Sequence, residues 1–470
     1  MPLHHRAVIG IDGRYKIWTN NQKRREKAVG KNNESHAAGV DQETMRKVMR
    51  RLLPLMMLLM IVNQIDRSNI GFAALTMNKD LGLTPYMYGL AAGMFSLGYI
   101  LFEVPSNLIL TKVGVNRWIA RIMLTWGLVT IGMAFVVGPN SLYVARFLLG
   151  VAEAGFQPGM TFYVLSWIPL AERARFTGIW FIAVPLSPII GGPLAGLLLQ
   201  LDGVLGLAGW QWIFIMEGMP AVLLSVVTWR YLTPRPAIAE WLEPAERDAL
   251  ERMLERENAD VHGGVHPTLR NTLMNGRVLV LGLLYIGMNM GMYAANVWMP
   301  TIVKSLGSLG NLETTLVISV IWAVASATSI FWGRRSDRVQ ERYWHLGLAL
   351  LFGAAGFSVS AYVGSPALAM AGLTAAVAGI LSGYVVFWVI PGTFLTGMAA
   401  AAGIALMNSM GNLGGFLGPF VVGWLRESTG SFQIALHVLA GAMVISGLIA
   451  IAIRPGKPMA RSPSLLAPTE

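Results

Sequence analysis

Twelve apolar stretches, each long enough to cross a lipid bilayer as a helix, constrain the fold of this 470-residue chain more than any other feature. Only 13% of its residues are charged, against roughly 25% in soluble domains. We predict that the stretches occupy residues 52–76, 86–110, 118–137, 142–167, 177–200, 211–232, 278–300, 313–332, 345–363, 367–389, 397–424 and 432–453. The sequence therefore predicts an all-α membrane protein with twelve transmembrane helices.

A long polar segment separates the first six stretches from the last six. We predict a disordered cytoplasmic tail over 1–51, a six-helix half over 52–232, a cytoplasmic linker over 233–277, a second six-helix half over 278–453 and a cytoplasmic tail over 454–470. Prolines interrupt helices at the start of the linker, and residues 246–258 are expected to form a short amphipathic surface helix. The first tail has no apolar core followed by a small-residue cleavage site, so it does not read as a secretory signal.

The distribution of positive charge predicts the orientation of the chain. Of its 36 Lys and Arg residues, 31 fall in the tails and loops of one side and 3 in those of the other side. Loops rich in Lys and Arg stay in the cytoplasm. We therefore expect a multi-pass protein of the plasma (inner) membrane with both termini inside. On this interpretation the net charge of +11 reflects loops near anionic lipid, and no nucleic-acid partner is expected.

The two halves repeat each other at matching positions. Ser187–Gly196 in the fifth stretch and Gly411–Gly423 in the eleventh each contain a Gly-Gly pair followed by Pro and small residues. The loops after the second and eighth stretches, Thr111–Arg121 and Gly333–Arg342, also correspond. A duplicated six-helix unit is typical of a transporter whose halves rock about a site near the membrane midplane.

Away from their ends, the apolar stretches contain six Asp, Glu or Arg residues: Asp66, Arg67, Glu103, Arg146, Glu153 and Glu217. Burying such a charge at the centre of a bilayer costs roughly 2.5 to 3.5 kcal/mol, so we expect these side chains to face a wet cavity or each other. Arg67 is the candidate for binding an organic anion, because a guanidinium grips a carboxylate with two parallel hydrogen bonds. Glu103 and Glu217 lie near helix breaks and are interpreted as structural.

Asp66 and Glu153 are the candidates for proton exchange. Arg146 is expected to act with them, since it lies two helical turns from Glu153 on the same face. Moving an arginine toward or away from a buried carboxyl would release or load a proton. The alternative is a permanent ion pair that joins the first and fourth stretches.

The sequence GRRSDR within Gly333–Arg342 resembles the signature loop of the major facilitator superfamily. The resemblance implies that Gly333, Arg334, Asp337 and Arg338 form a conformational loop that braces cytoplasmic helix ends. The copy in the first half departs from the pattern, with Thr111 in place of the Asp.

Six further stretches resemble the anion:cation symporter family of that superfamily, which includes permeases for tartrate, sugar acids, phthalate and hydroxyphenylacetate. They are Ile65–Ala73, Gly98–Leu110, Ala145–Gly159, Gly209–Ala221, Phe387–Gly397 and Ala405–Pro419. The resemblance implies import of an organic carboxylate with protons, with Asp66 and Glu153 as proton sites. It also implies substrate contacts near Tyr99, Trp388 and Asn408, although aromatic residues in membrane helices often only pack or lie at an interface.

Several functional alternatives remain open at this point. The chain could be an uncoupled facilitator or an exporter, and its cargo tartrate, an aldonate or an aromatic acid. A membrane-embedded enzyme is disfavoured, since the sequence contains no H-E-x-x-H, no G-x-S-x-G and no cysteine. It also contains no phosphate-binding loop for ATP, so we expect a proton gradient as the driving force. No cofactor and no metal are expected, and the protein is expected to act as a monomer.

Overall fold

A computed structural model describes residues 41–262, 274–395 and 397–454, and the regular structure in these ranges is helical. The twelve spans, numbered in chain order, run over Gln42–Asp80, Pro85–Val113, Val115–Met133, Pro139–Glu153 with Phe156–Trp167, Leu170–Phe181 with Ala183–Leu199, Gly209–Tyr231, Gly276–Leu306, Asn311–Val339, Tyr343–Tyr362, Pro366–Phe387, Gly397–Thr429 and Gln433–Ala452. Within the described ranges, nine of these are long and apolar enough to cross a membrane by length and composition alone. The others are span 3, the divided span 4 and span 11.

Span 1 begins ten residues before the predicted boundary, so the prediction of a tail over 1–51 is wrong for residues 42–51. Met45, Val48 and Leu52 are buried at intervals of three and four residues. This spacing continues one apolar helix face into the polar segment. Residues 1–40 of the predicted tail, and 455–470 of the second tail, lie outside the described residues.

Span 4 is two helices, where the sequence predicted one continuous stretch over 142–167. The first helix ends at Glu153, and Gly155 has a φ of +90°, a conformation that glycine adopts at no steric cost. A Cβ at Gly155 would also collide with the side chain of Ser106 in span 2. The break therefore needs glycine, and it leaves Glu153 at a helix end inside the bundle.

The linker contains the predicted surface helix, which runs over Pro244–His262 and forms ion pairs with residues of spans 1 and 5. Glu246 accepts a hydrogen bond from Lys47 Nζ at 2.8 Å. Partial burial raises the pKa of Glu246, but the bond from Lys47 and other hydrogen bonds outweigh this and hold the pKa below its ordinary value. Trp241 stacks on Trp167 of span 4, with ring centroids 5.3 Å apart. These contacts attach the linker to the end of the bundle where span 1 begins and span 12 ends, which we name the terminal end.

The predicted loop at Gly333–Arg342 is helical as far as Val339, so that part of the prediction is wrong. The candidate residues Gly333, Arg334, Asp337 and Arg338 lie in the last two turns of span 8. The residue that follows span 8, Gln340, caps the helix with a φ of +56°. Asp337 forms an ion pair of 2.7 Å with Arg342, which directly precedes span 9. The pair therefore braces the ends of two successive spans.

The two halves meet mainly at the end of the bundle that lies away from the termini. We name it the opposite end. In spans 2 and 11, the Cα of Gly423 lies 3.1 Å from the position that a Cβ on Gly89 would occupy. Tyr88 donates a hydrogen bond across the halves to the Val297 carbonyl at 2.9 Å. A Cβ on Gly192 of span 5 would lie 2.8 Å from the Thr315 carbonyl of span 8. Small residues thus let the halves close on each other at this end.

Candidate functional site

The centre of the bundle contains an ion pair between spans 1 and 4. Arg67 Nε donates a hydrogen bond to Glu153 Oε1 at 2.5 Å. Asn63 Nδ2 donates to the same oxygen at 2.8 Å, from one turn earlier in span 1. Glu153 is fully buried, whereas the Arg67 side chain keeps 16% of its surface exposed. The structure thus contains an ion pair that joins spans 1 and 4, with Arg67 as the hydrogen-bonded partner of Glu153.

The guanidinium of Arg67 faces the other half of the molecule. Its carbon lies 5.0 Å from the ring centroid of Tyr99 and 5.4 Å from that of Phe95, both in span 2. Arg67 Nη1 lies 3.4 Å from the hydroxyl of Tyr293 in span 7. Such rings attract a cation without using its N–H donors, which can still donate hydrogen bonds to a ligand. The structure thus brings the predicted residue Tyr99 to Arg67.

Asp66 and Arg146 lie deeper in the first half. Asp66 is fully buried and accepts a hydrogen bond from Asn69 Nδ2 at 3.2 Å. Arg146 is 2% exposed, and its guanidinium carbon lies 5.0 Å from the ring centroid of Phe95. Adjacent helical residues point about 100° apart, so Asp66 turns into the first half while Arg67 turns toward the second. Glu217 of span 6, 3% exposed, is a further buried acid of the first half.

The remaining predicted substrate residues lie in the second half. Asn408 Nδ2 donates a hydrogen bond to Glu103 Oε1 across the halves at 3.0 Å. Trp388 is 37% exposed and packs edge-on against Tyr285, with ring centroids 5.2 Å apart. Trp388 therefore belongs to an aromatic cluster of the second half, and Asn408 is engaged by an acid of the first half.

Sequence reasoning missed three residues of this site. Asn63 precedes Arg67 by four positions, so the rule that such helical residues share a face could have identified it. Glu103 was identified as ionisable but interpreted as structural, and only its contact with Asn408 places it at the site. Tyr293 carries no sequence signal, because it reaches Arg67 from the other half of the chain.

These features define a class of protein. Two six-span halves close over a central cation that a buried carboxylate holds, which is the arrangement of a solute transporter with a midplane site. Within the residues that the structure describes, no group of three or more His, Cys, Asp or Glu side chains is placed to hold a metal ion.

The chain belongs to the Major Facilitator Superfamily, whose sequence profile matches residues 56–402. The predicted superfamily is therefore confirmed, and with it the twelve-span all-α membrane fold. The chain is a multi-pass membrane transporter and not an enzyme.

Two curated relatives and one solved structure illustrate the relationship. A protein of Agrobacterium vitis named "Putative tartrate transporter" is 45% identical over 414 residues, which are 88% of this chain and 95% of that protein. The "Quinolone resistance transporter" of Acinetobacter baumannii is 41% identical over 409 residues, 87% of this chain and 94% of that one. The xylose transporter XylE from E. coli, in a partially occluded inward open conformation, superimposes with a TM-score of 0.68 at 12% identity. That match covers 87% of this chain and all of XylE, and it shows the shared fold.

Proposed function

We propose that this protein is a secondary transporter that imports an organic carboxylate together with protons across the plasma (inner) membrane. The observation that carries the proposal is the Arg67–Glu153 pair, in which a partly exposed guanidinium between the halves is held by a carboxylate of the protein. A substrate carboxylate that binds Arg67 competes with the carboxylate of Glu153 for the same cation, and we propose that it displaces Glu153. The relative named as a tartrate transporter supports a carboxylate as the cargo.

The coupling follows from what happens to Glu153 when it loses Arg67. A buried carboxylate without a cation is strongly disfavoured in a low-dielectric interior. Glu153 then binds a proton from the cavity, and the neutral carboxyl keeps its hydrogen bond with Asn63. When the substrate leaves on the other side, Arg67 returns and Glu153 releases the proton. Asp66 and Arg146 form a second acid and base behind this pair, and Asp66 is the second proposed proton site.

Alternating access is proposed to use the two ends of the bundle. The opposite end is closed by spans 1 and 7, 2 and 11, and 5 and 8. We assign the terminal end to the cytoplasm, because it carries the loops that contain 31 Lys and Arg residues. The site forms within one chain, so the proposed transporter works as a monomer that binds a small anion and protons. The proton gradient supplies the driving force, and the proposal needs no cofactor.

A second candidate cargo is a bulkier aromatic anion, moved in either direction. The stacked rings of Tyr285 and Phe387, 4.7 Å apart, lie beside Trp388 in the second half. The relative named for quinolone resistance favours the same candidate. Tyr293, between this cluster and Arg67, offers a phenol to either class of acid.

Purified protein in proteoliposomes tests the proposal. An inward pH gradient (acid outside) should drive accumulation of labelled tartrate, and tartrate added without a gradient should carry protons inward, as measured by a trapped pH-sensitive dye. Arg67→Ala should abolish both signals. Tartrate transport that does not depend on pH would refute proton coupling and would identify the protein as an uncoupled facilitator. Failure to bind any organic carboxylate would refute the proposed cargo.

A further inference from the structure

Three cations surround the turn between spans 2 and 3 at the terminal end, and we name them the cation cluster. Lys112 lies in the last turn of span 2, and Arg117 and Arg121 lie in the first two turns of span 3. Gly114, whose φ is +97°, makes the turn between the two helices. Among the residues that the structure describes, none of these cations forms an ion pair.

The corresponding turn of the second half compensates its charge internally. There Asp337 of span 8 forms the 2.7 Å ion pair with Arg342. In the first half Thr111 takes the place of the acid, and its hydroxyl donates a hydrogen bond within its own helix. Arg117 and Arg121 are four positions apart on one helix face, where like charges repel each other. A bound anion would therefore stabilise this turn.

The guanidinium of Arg121 is held in position while most of its donors stay unused. Its carbon lies 3.9 Å from the ring centroid of Trp118. Trp118 Nε1 in turn donates a hydrogen bond to Ser106 Oγ of span 2 at 3.0 Å, which fixes the ring. Arg121 Nη1 lies 3.5 Å from the Thr125 hydroxyl, longer than a usual hydrogen bond, and its Nε has no partner among the described residues. A guanidinium held in this way can bind a phosphate with two parallel hydrogen bonds.

The two arginines lie on the face of span 3 that is turned toward the bilayer. Span 3 packs mainly on spans 6 and 4, which belong to its own half. Leu124 and Leu128 are exposed and continue the face of Arg117 and Arg121 at helical spacing. Exposed leucines of a membrane-spanning helix lie against acyl chains, so arginines one or two turns nearer the helix end lie at the depth of the lipid headgroups.

We propose that Lys112, Arg117 and Arg121 form a binding site for the phosphate of an anionic glycerophospholipid in the leaflet at the terminal end. The phosphate oxygens accept hydrogen bonds from Arg121, while the exposed Lys112 and Arg117 add positive charge. The acyl chains lie along the exposed leucines of span 3. The lipid supplies the negative charge that an aspartate supplies in the second half. A free phosphate has the same oxygens but gains nothing from the leucine face.

Native mass spectrometry of the full chain in detergent tests the site by measuring the binding of the first lipid. Phosphatidylglycerol and phosphatidylcholine with identical acyl chains are compared, because both contain a phosphate but choline compensates its charge. We expect wild type to bind phosphatidylglycerol at least about tenfold more tightly, since each nearby Lys or Arg contributes roughly a factor of five to the binding of an anionic lipid. Inorganic phosphate at the same concentration should displace little of the bound lipid.

Four variants locate the site. Arg121→Gln and Arg117→Gln should each reduce the preference for phosphatidylglycerol about fivefold. Thr111→Asp supplies the acid that the second half has and should reduce the preference without removing a cation. Arg335→Gln is the matched control, because it removes an exposed cation of span 8 at the same end of the molecule, and it should keep the wild-type preference. Arg117 and Thr111 are exposed, so their variants decide the question even if Arg121→Gln does not fold.

Three results would overturn the lipid site. The first is wild type that binds both lipids equally. The second is an equal loss of preference in Arg335→Gln and Arg117→Gln, which would show a diffuse attraction of cations to anionic lipid in place of a site. The third is complete displacement of phosphatidylglycerol by inorganic phosphate at equal concentration, which would identify a site for soluble anions.

Discussion

Replacing Glu153 by Gln should separate substrate binding from proton coupling. The carboxylate holds Arg67 through a 2.5 Å hydrogen bond and is itself fully buried. A hydrogen bond to a charged group contributes about 1.5 to 3 kcal/mol, and a neutral one about 0.5 to 1.5 kcal/mol. The amide of Gln can still accept a hydrogen bond from Arg67, but this bond is weaker by about 1 to 1.5 kcal/mol than the one that the Glu153 carboxylate accepts. The substrate therefore displaces a weaker partner from Arg67.

The expected effect on affinity depends on pH. Where Glu153 of wild type is charged, Glu153→Gln should bind substrate roughly five- to tenfold more tightly, since each 1.4 kcal/mol is a factor of ten. Under the proposed coupling, binding of a proton to Glu153 frees Arg67, so the two proteins should converge as the pH falls. Wild-type affinity should therefore fall as pH rises, while the affinity of the variant stays nearly constant.

The assay combines binding and flux. Equilibrium binding of labelled tartrate as a function of pH measures the first effect. In proteoliposomes, the variant should lose accumulation driven by a pH gradient and retain substrate exchange, because the amide imitates only the protonated state. Glu427→Gln controls for removing an acid elsewhere. A variant that keeps the wild-type pH dependence of affinity, or that still accumulates substrate, would refute the role of Glu153.

Three further substitutions test other parts of the molecule. Arg67→Lys keeps the charge but loses the bidentate fork, so we expect uptake to fall at least tenfold at equal expression, and near-normal uptake would remove Arg67 from the substrate site. Asp337→Asn breaks the ion pair with Arg342, and because Asp337 is 67% exposed in this pair, thermal stability should hardly change. Transport should slow, and a single cysteine introduced at Asn107 should become more reactive toward reagents added at the terminal end. Thr111→Val is its control, because the Thr111 hydroxyl bonds its own helix at the Leu108 carbonyl. An equal effect of both substitutions would contradict the proposed role of the Asp337–Arg342 ion pair. Gly89→Ala forces a Cβ to within 2.6 Å of the Pro419 carbonyl, and overpacking of about 1 to 3 kcal/mol should shift the population toward an open opposite end. A single cysteine at Asn296 should then gain reactivity from that end, whereas Gly441→Ala, which meets open space, should change nothing.

Some features of this protein follow from the sequence alone because they depend only on local composition. The length and apolarity of the stretches reflect the lipid around them, and the uneven distribution of Lys and Arg predicts the orientation. An arginine inside an apolar helix indicates a function at that residue, since its burial is otherwise disfavoured. The sequence therefore predicted the twelve-span fold, the superfamily and Arg67 as a candidate.

Helix boundaries were less accessible to sequence reasoning. Gly155 divides span 4 because its backbone passes Ser106 of another span, and neither residue reveals that approach by itself. Conversely, the resemblance of Gly333–Arg342 to a signature loop predicted a loop there, but span 8 continues through Gly333 to Val339, since a single glycine weakens a helix by only about 1 kcal/mol. In each case the neighbouring helices decide whether a glycine interrupts a helix.

The pairing of the ionisable residues was decided only by the tertiary structure. Arg146 and Glu153 were expected to share a face of one helix, and the sequence did not reveal that the hydrogen-bonded partner of Glu153 is Arg67, 86 residues away. Glu103 and Asn408, 305 residues apart, meet because small residues allow spans 2 and 11 to approach closely. The sequence determines which charged residues lie within the membrane-spanning stretches, and each of them has a free-energy cost of burial whatever its partner. The packing of helices determines which of them compensate each other, because hydrogen bonds act over only about 3 Å.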